Sequence, residues 1–359
     1  MREIMRKILL ELKRFICLIA EAIFFGPIYS SFLHSISSTK PLDPRETWNR
    51  FTKPKGRFVE WLMNNYPPKI VRWLFLRFYY RRSRKFKDHA AGISYHYDLS
   101  HDFYELFLDK KYRFYSCADF LESTDTLEEA QENKANYILN LIDPKPGQKI
   151  LELGCGWGGM LEKIYERTSD KENLYGYTLS SEEESFIDEK YGFHVELKDF
   201  VTTQYEEKSF DKIFTVEGLE HARECELLPL CKRLFNALKP NGKLILQLFC
   251  QMEDILPTRL LVAGFQIVPG AELTSLKKHL NIFEQANFKV THHSVHDFRP
   301  TLQAWFDRLV ANREAAIRLV GVRNYNKYQC YFAGAWRLFN DHDLILTRFV
   351  LERHEGEGH

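Results

Sequence analysis

No C-x-x-C pair and no zinc-like spacing occurs among the seven cysteines, Cys17, Cys117, Cys155, Cys225, Cys231, Cys250 and Cys330. A structural zinc site and a dithiol redox motif are therefore not expected, no metal is called for, and reduced thiols in a reducing interior fit the scatter. A cleavable secretory signal is not expected either, because Lys7, Lys13, Arg14 and Glu21 interrupt the first apolar run. The uncharged stretch Ala22–Thr39 is broken by Gly26 and Pro27, which leaves it marginal against the ~20 apolar residues that cross a bilayer. A large net charge is absent as well: the chain of 359 residues carries +1.

That near-neutrality hides an asymmetry. Residues 1–90 hold 19 Lys or Arg against 7 Asp or Glu, a balance of +12, and the rest of the chain carries −11. The basic end is also the greasy end, with Ile4, Ile8, Leu12, Phe15, Ile19 and Phe24 at roughly helical spacing. A buried core helix and an amphipathic surface anchor both fit this pattern. In Trp73–Lys87, WLFLRFYYRRSRKFK, six cations lie among aromatic rings. Rings at headgroup level and cations facing lipid phosphates suit an anionic membrane surface. Nucleic acid would use the same residue types, but the adjoining apolar segments favour lipid, and a plain solvated face is the bland alternative. The expected organisation is a helical, basic, membrane-associating region over 1–90 and one α/β domain over 91–359.

The stretch around which that domain is organised is Lys149–Gly159, KILELGCGWGG, an apolar strand running into a glycine-rich turn and a helix beginning near Met160. Gly154, Gly156 and Gly159 allow backbone angles or close approaches that a Cβ would block, so a cofactor can lie against the turn. A flexible turn is the alternative for so short a motif. Further on, strands are expected over 173–178, 195–198, 210–215 and 243–249, with helices over 181–189 and 227–238 between them, the alternation of an open α/β sheet. Their polar residues converge at one sheet edge. There Glu183 suits a ribose, and Asp199 with Phe200 suits an adenine amino group and its face, unless each is an ordinary helix or loop residue.

The fourth strand leads into VEGLEHA, with Glu217, Glu220 and His221 close together. Two carboxylates and an imidazole at a strand's carboxyl end suit proton transfer and stabilisation of positive charge on an acceptor; capping and backbone hydrogen bonding are the competing roles. Ahead of the sheet, Thr126–Leu141 reads as a helix with Leu127, Ala130, Ala135, Ile138 and Leu141 inward, and Tyr115-Ser116-Cys117 is placed to fold over the site as a lid. Near the C-terminus, apolar faces at 260–269, 273–280 and 301–310, a helix over 328–339 and a strand over 344–350 frame an acceptor pocket. Trp305, Phe306, Tyr331 and Phe332 either line an acyl tunnel in it or fill core.

The series HYDLSHDFYELFLD, YRFYSCADF, LEEAQENKANYI, ILELGCGWGG, GYTLSSEEE, FDKIF, LEHA and LKPNG resembles the cyclopropane-fatty-acid synthase and mycolic-acid methyltransferase family from about residue 91 to residue 353. The resemblance implies a Rossmann-like, seven-stranded α/β methyltransferase fold, S-adenosylmethionine as donor and an unsaturated acyl chain as acceptor, in bacterial members usually on phospholipid. By the same resemblance Tyr115, Ser116, Gly154, Gly156 and Thr178 fall at cofactor positions, and Glu183 replaces a family glutamine near the ribose. Cys117 and Glu220 match two positions that hold bicarbonate in the synthases. Gln247 stands where the family has histidine, Phe298 where it has tyrosine and Phe332 where bacterial synthases can have cysteine, so the bicarbonate site is incomplete and ring closure is put in question. The product expected is a cyclopropane or a methyl-branched alkene, made by a cytoplasmic protein on the inner face of a membrane, with self-association left open.

VEGLEH also resembles the V-E-x-x-E-H segment of coclaurine N-methyltransferase and its relatives, which act on amines, and Glu217 is unlike the glycine common there in the synthases. Small-molecule N-methylation is therefore the alternative enzyme. A non-catalytic lipid-binding scaffold is the third reading, disfavoured by the intact glycines, Glu220 and His221.

Overall fold

The computed structural model describes residue 35 and residues 38–54, 101–252 and 273–353. The expected anchor over 1–25, the basic block at 73–87 and the apolar face at 260–269 lie outside the described residues. Seven strands form one sheet in the order β3-β2-β1-β4-β5-β7-β6. β1 (Ile150–Leu153), β2 (Leu174–Thr178), β3 (His194–Leu197), β4 (Phe210–Val216) and β5 (Leu238–Gln251) run parallel; β7 (Leu344–Arg353) lies antiparallel between β5 and β6 (Phe288–His296). All four residues of β1 are buried, as expected of a parallel strand covered on both faces. The order reverses beside β1, and a crevice opens there at the carboxyl ends of β1 and β4.

Helices α1 (Pro44–Thr52), α2 (His101–Glu105), α3 (Leu127–Ile142), α4 (Gly159–Thr168), α5 (Ser181–Lys190), α6 (Glu224–Ala237), α7 (Leu276–Gln285), α8 (Arg299–Ala311) and α9 (Arg313–Asn340) surround the sheet. Their starts carry local signals. Thr126 and Glu129 close a reciprocal capping box on α3, and Ser180 accepts from the Glu183 N–H at the head of α5. At Gly321 (φ 77°, ψ 162°) the backbone leaves helical angles, so α9 is two helices joined at a kink. Only its second part, expected over 328–339, was legible.

Strand β6 is the element that hydrophobic patterning misses. Of its nine residues only Phe288 is buried, because it is a sheet edge, and Phe-Lys-Val-Thr-His-His-Ser-Val-His offers no apolar face to detect. The core around α2, α8 and α9 is strongly aromatic. Phe107 meets Phe332 at 5.3 Å between ring centroids, and Trp305 meets Phe332 at 5.8 Å. Trp305, Phe306 and Phe332 are buried there, so these three expected tunnel residues act as packing side chains. Residues 38–54 dock on the same region. Asn326 of α9 accepts from the Leu42 N–H at 2.9 Å and donates to the Lys40 carbonyl at 3.0 Å, Arg337 donates to the Thr52 carbonyl at 3.1 Å, and Trp48 packs 4.7 Å from Phe306.

Candidate active site

A cavity of about 510 Å³ opens at the carboxyl ends of β1, β2 and β4. Its lining brings together Tyr115, Ser116, Gly154, Gly156, Gly159, Thr178, Glu183, Asp199 and Phe200, along with Glu217 and His221. Cys117 and Glu220 lie behind that wall rather than in it. His101, Arg113, Trp157 and Lys198 line it as well, without having been singled out in the sequence. His101 lies 4.3 Å from the Trp157 ring, and the Arg113 guanidinium sits 5.4 Å from it.

The three glycines do different things. Gly154 (φ 75°) and Gly156 (φ 50°) hold left-handed backbone angles, and a Cβ on either would enter open space, so the turn presents bare backbone to the cavity. Gly159 instead makes room for protein. A Cβ there would stand 2.9 Å from the Phe114 ring and 3.0 Å from Tyr112 Cβ, and its absence lets the 109–117 segment close onto α4.

That segment, expected as a lid, is a pinned wall. Asp109 accepts from the N–H groups of Tyr112, Arg113 and Phe114 at 2.6, 3.1 and 2.7 Å. Gln131 donates to the Ser116 carbonyl at 2.9 Å, and Thr301 receives the Ala118 N–H at 2.9 Å. Lys134, wholly buried on α3, donates to Ser116 Oγ at 3.0 Å and lies 3.3 Å from the Phe114 ring centroid. Burial pulls its ammonium down to about 8, against the pull of Asp109 and Glu217. At the opposite rim Thr178 donates to the Glu183 carboxylate at 2.5 Å, and Asp199 accepts from the Val201 N–H at 2.8 Å, which fixes both carboxylates in place.

Glu217 is the unusual residue. Its φ of 56° is left-handed, a conformation that suits the glycine of the synthases and is strained for glutamate. Its carboxylate accepts from the Cys117 N–H at 2.8 Å and from the Gln247 amide at 2.7 Å. Burial raises it to about 6, while those two donors, Lys134 and Arg348 pull the other way. Glu220 accepts from the Phe249 N–H at 2.6 Å through one oxygen, and its Oε2 is shut off from solvent without a partner. Burial, then the Glu217 charge, push Glu220 well above the carboxylate range. Of the two, Glu220 is the one that burial and its neighbour hold more strongly toward the neutral form.

This arrangement bears on the bicarbonate site that the sequence already left incomplete. The Cys117 N–H and the Gln247 amide are already taken by the Glu217 carboxylate, burial pushes Glu220 toward its neutral form, and the Cys117 thiol, buried, turns toward the Ala118 and Asp297 carbonyls at 3.4 and 3.6 Å. Phe298 and Phe332 are buried in the aromatic core and supply no polar contact. The residues do not fit a bicarbonate ion. They do fit a nucleoside-type cofactor with an amino-acid tail, since the bare glycine turn, the Ser116 hydroxyl and the carboxylates at the ends of β2 and β3 face a common space.

Comparison with known proteins gives the same direction. The chain matches the family described as mycolic acid cyclopropane synthetase over residues 84–349. Hydroxymycolate synthase of Mycobacterium tuberculosis is 31% identical over 286 residues, spanning 72% of this chain and 90% of that protein. A mycolic acid cyclopropane synthase solved with SAH and CTAB superposes with a TM-score of 0.67 at 25% identity, covering 74% of this chain and 98% of that one. Coclaurine N-methyltransferase, bound to N-methylheliamine and SAH, superposes with a TM-score of 0.59 at 18% identity over 82% and 98% of the two chains, a likeness of fold. The chain belongs to the mycolic acid cyclopropane synthetase family and is an S-adenosylmethionine-dependent methyltransferase.

Proposed function

We propose that the chain methylates the double bond of an unsaturated fatty acyl chain carried on phospholipid. The observation that carries this reading is the Glu217 carboxylate, held by two donors in the wall of a cavity that the aromatic side chains Tyr104 and Tyr115 also line. S-Adenosylmethionine supplies an electrophilic methyl group. As the alkene π electrons form the new C–C bond, the S–CH3 bond would break, its electron pair would stay on the sulfur of the departing S-adenosylhomocysteine, and the neighbouring acceptor carbon would be left positive. A fixed anion and aromatic faces in a water-poor site stabilise that charge selectively in the transition state. Glu217 is also placed to accept a proton. Loss of a proton from the transferred methyl closes a cyclopropane, and loss from an adjacent chain carbon leaves a methyl-branched alkene. Ser116, anchored by Lys134, and the Gly154–Gly156 turn hold the donor, with Glu183 and Asp199 at its sugar and base.

The experiment is to give the purified full chain deuterium-methyl S-adenosylmethionine and mixed unsaturated phospholipids, then examine the lipids by mass spectrometry. A cyclopropane retains two donor deuteriums and a methyl-alkene three, because only ring closure takes one from the transferred methyl. Either label supports the reading. Unlabelled lipid together with a labelled methylammonium product from added amines moves the assignment to N-methylation, which the Glu217 carboxylate also suits because it would pair with an ammonium.

Membrane attachment through residues 1–90 on the cytoplasmic face forms part of the proposal. Its support is the +12 balance and the interleaved aromatic residues; among the described residues no helix is long and apolar enough to cross a membrane. Vesicle flotation of the full chain should recover more protein with anionic than with neutral lipid, and less as salt rises. Exchanging Arg81, Arg82, Arg84 and Lys85 for Gln should remove most of the difference. Equal recovery on both vesicle types counts against attachment through charge.

A further inference from the structure

Behind Glu217, a row of polar side chains crosses three strands, buried at Gln247 and Arg348 and half-buried at Ser294. Gln247 on β5 faces Arg348 on β7, which faces Ser294 on β6. Arg348 is completely buried. Its Nε donates to Gln247 Oε1 at 2.7 Å, and its two terminal nitrogens reach the Asp119 carboxylate at 2.6 and 3.0 Å. His296 Nδ1 stands 3.2 Å from the other side of that carboxylate. Burial works to raise Asp119, but His296 and Arg348 more than offset it and keep it below the ordinary range.

We infer that Arg348 and Asp119 are positioning residues of the methyl-transfer site, locking the Gln247 side chain with its NH2 toward Glu217. A glutamine amide turned over would present its carbonyl oxygen to the Glu217 carboxylate, an acceptor facing an acceptor. A guanidinium has donors and no acceptor, so the Gln247 oxygen must face Arg348 and its NH2 must face Glu217. A buried guanidinium needs an anion in turn, and Asp119 supplies it through a two-point fork. Lysine would carry the same charge without the planar fork that satisfies Gln247 and Asp119 at once.

The groups facing Glu217 are the Gln247 amide on β5, Arg348 on β7, Lys134 on α3, Glu220 in the same turn, the Cys117 thiol and the Tyr331 phenol on α9. Glu217 can be followed directly in full-length protein carrying 13C-labelled glutamate, its carboxyl resonance assigned by its loss in Glu217→Gln. The wild-type midpoint is expected near 6. Arg348→Lys and Gln247→Leu, which both keep a cation opposite Asp119, should each move the midpoint above about pH 7, and the double variant should move it no further than either alone. S-Adenosylmethionine affinity, measured by calorimetry, should stay within about twofold, while turnover falls about 10- to 100-fold, the scale for losing an outer partner of a site residue. An unmoved midpoint in Arg348→Lys means that charge alone suffices and overturns the inference; so does full additivity in the double variant. Should Arg348→Lys fail to fold, Gln247→Leu carries the test, with the same upward midpoint expected and an unmoved one overturning the inference. The inference rests on the methyl-transfer reading for the turnover arm alone. The titration needs no substrate, so failure of one is distinguishable from failure of the other.

Discussion

Glu217→Gln should lower turnover of the labelled-lipid reaction by about 10²- to 10³-fold, the loss seen when a preorganised charge partner is removed from a developing charge. Gln fits the same space and keeps a carbonyl oxygen for the Cys117 N–H, so the fold and cofactor binding should persist. The pH behaviour is the sharper test. Wild-type activity should fall as Glu217 takes up a proton near 6, and the variant should lack that acid limb. Stability should move the opposite way. The folded pKa lies above the ordinary glutamate value of 4.5, so the native state binds this proton more tightly than the unfolded chain. That contribution is complete below 4.5 and is lost as pH rises through about 6. Thermal unfolding should therefore favour the Gln variant over wild type by a wider margin at about pH 7 than at about pH 5. A variant that keeps more than about a tenth of wild-type turnover would remove Glu217 from the chemistry.

Gly156→Val should weaken S-adenosylmethionine binding by about 100-fold, or ~2.7 kcal/mol. Two effects combine. Valine is β-branched and resists the φ of 50°, a cost of about 1–2 kcal/mol, and its side chain points into space that the protein leaves open. Calorimetry on the folded variant checks the affinity; wild-type binding would show that the cofactor does not lie against this turn. Gly159→Ala offers a contrast, because its methyl meets the Phe114 ring at 2.9 Å and acts by displacing the 109–117 wall.

The sheet was readable where strands are buried on both faces and end in polar turns. β1, β2 and β4 announce themselves by short apolar runs, and the residues at their carboxyl ends fall round one cavity. β6 escaped because an edge strand carrying Lys289, His292, His293 and Ser294 has no apolar face to declare it. Within the site, VEGLEHA drew notice to Glu217 and Glu220, but not to the division of labour between them, which depends on how burial and neighbours treat each carboxylate. Lys134 and Arg348 left a fainter mark. One is a cation between Ala130 and Ile138 on the inward face of a helix, the other a cation in the apolar run Leu344–Val350. A charge where the period demands an apolar residue calls for a buried partner, and those partners, Ser116 and Asp119, lie 18 and 229 residues away in sequence.

The seating of α1 on α9 also sets the order in which the protein can be completed. Asn326 and Arg337 hold backbone groups that precede them by 284 to 286 residues. At ribosomal rates of 5–20 residues per second, roughly 15–60 s separate the emergence of Leu42 from that of its partner. For most of that interval Trp48 has no Phe306 to pack on, and Trp336 emerges later still. The contact joining first to last is among the late steps of folding, when the growing polypeptide finally closes on itself.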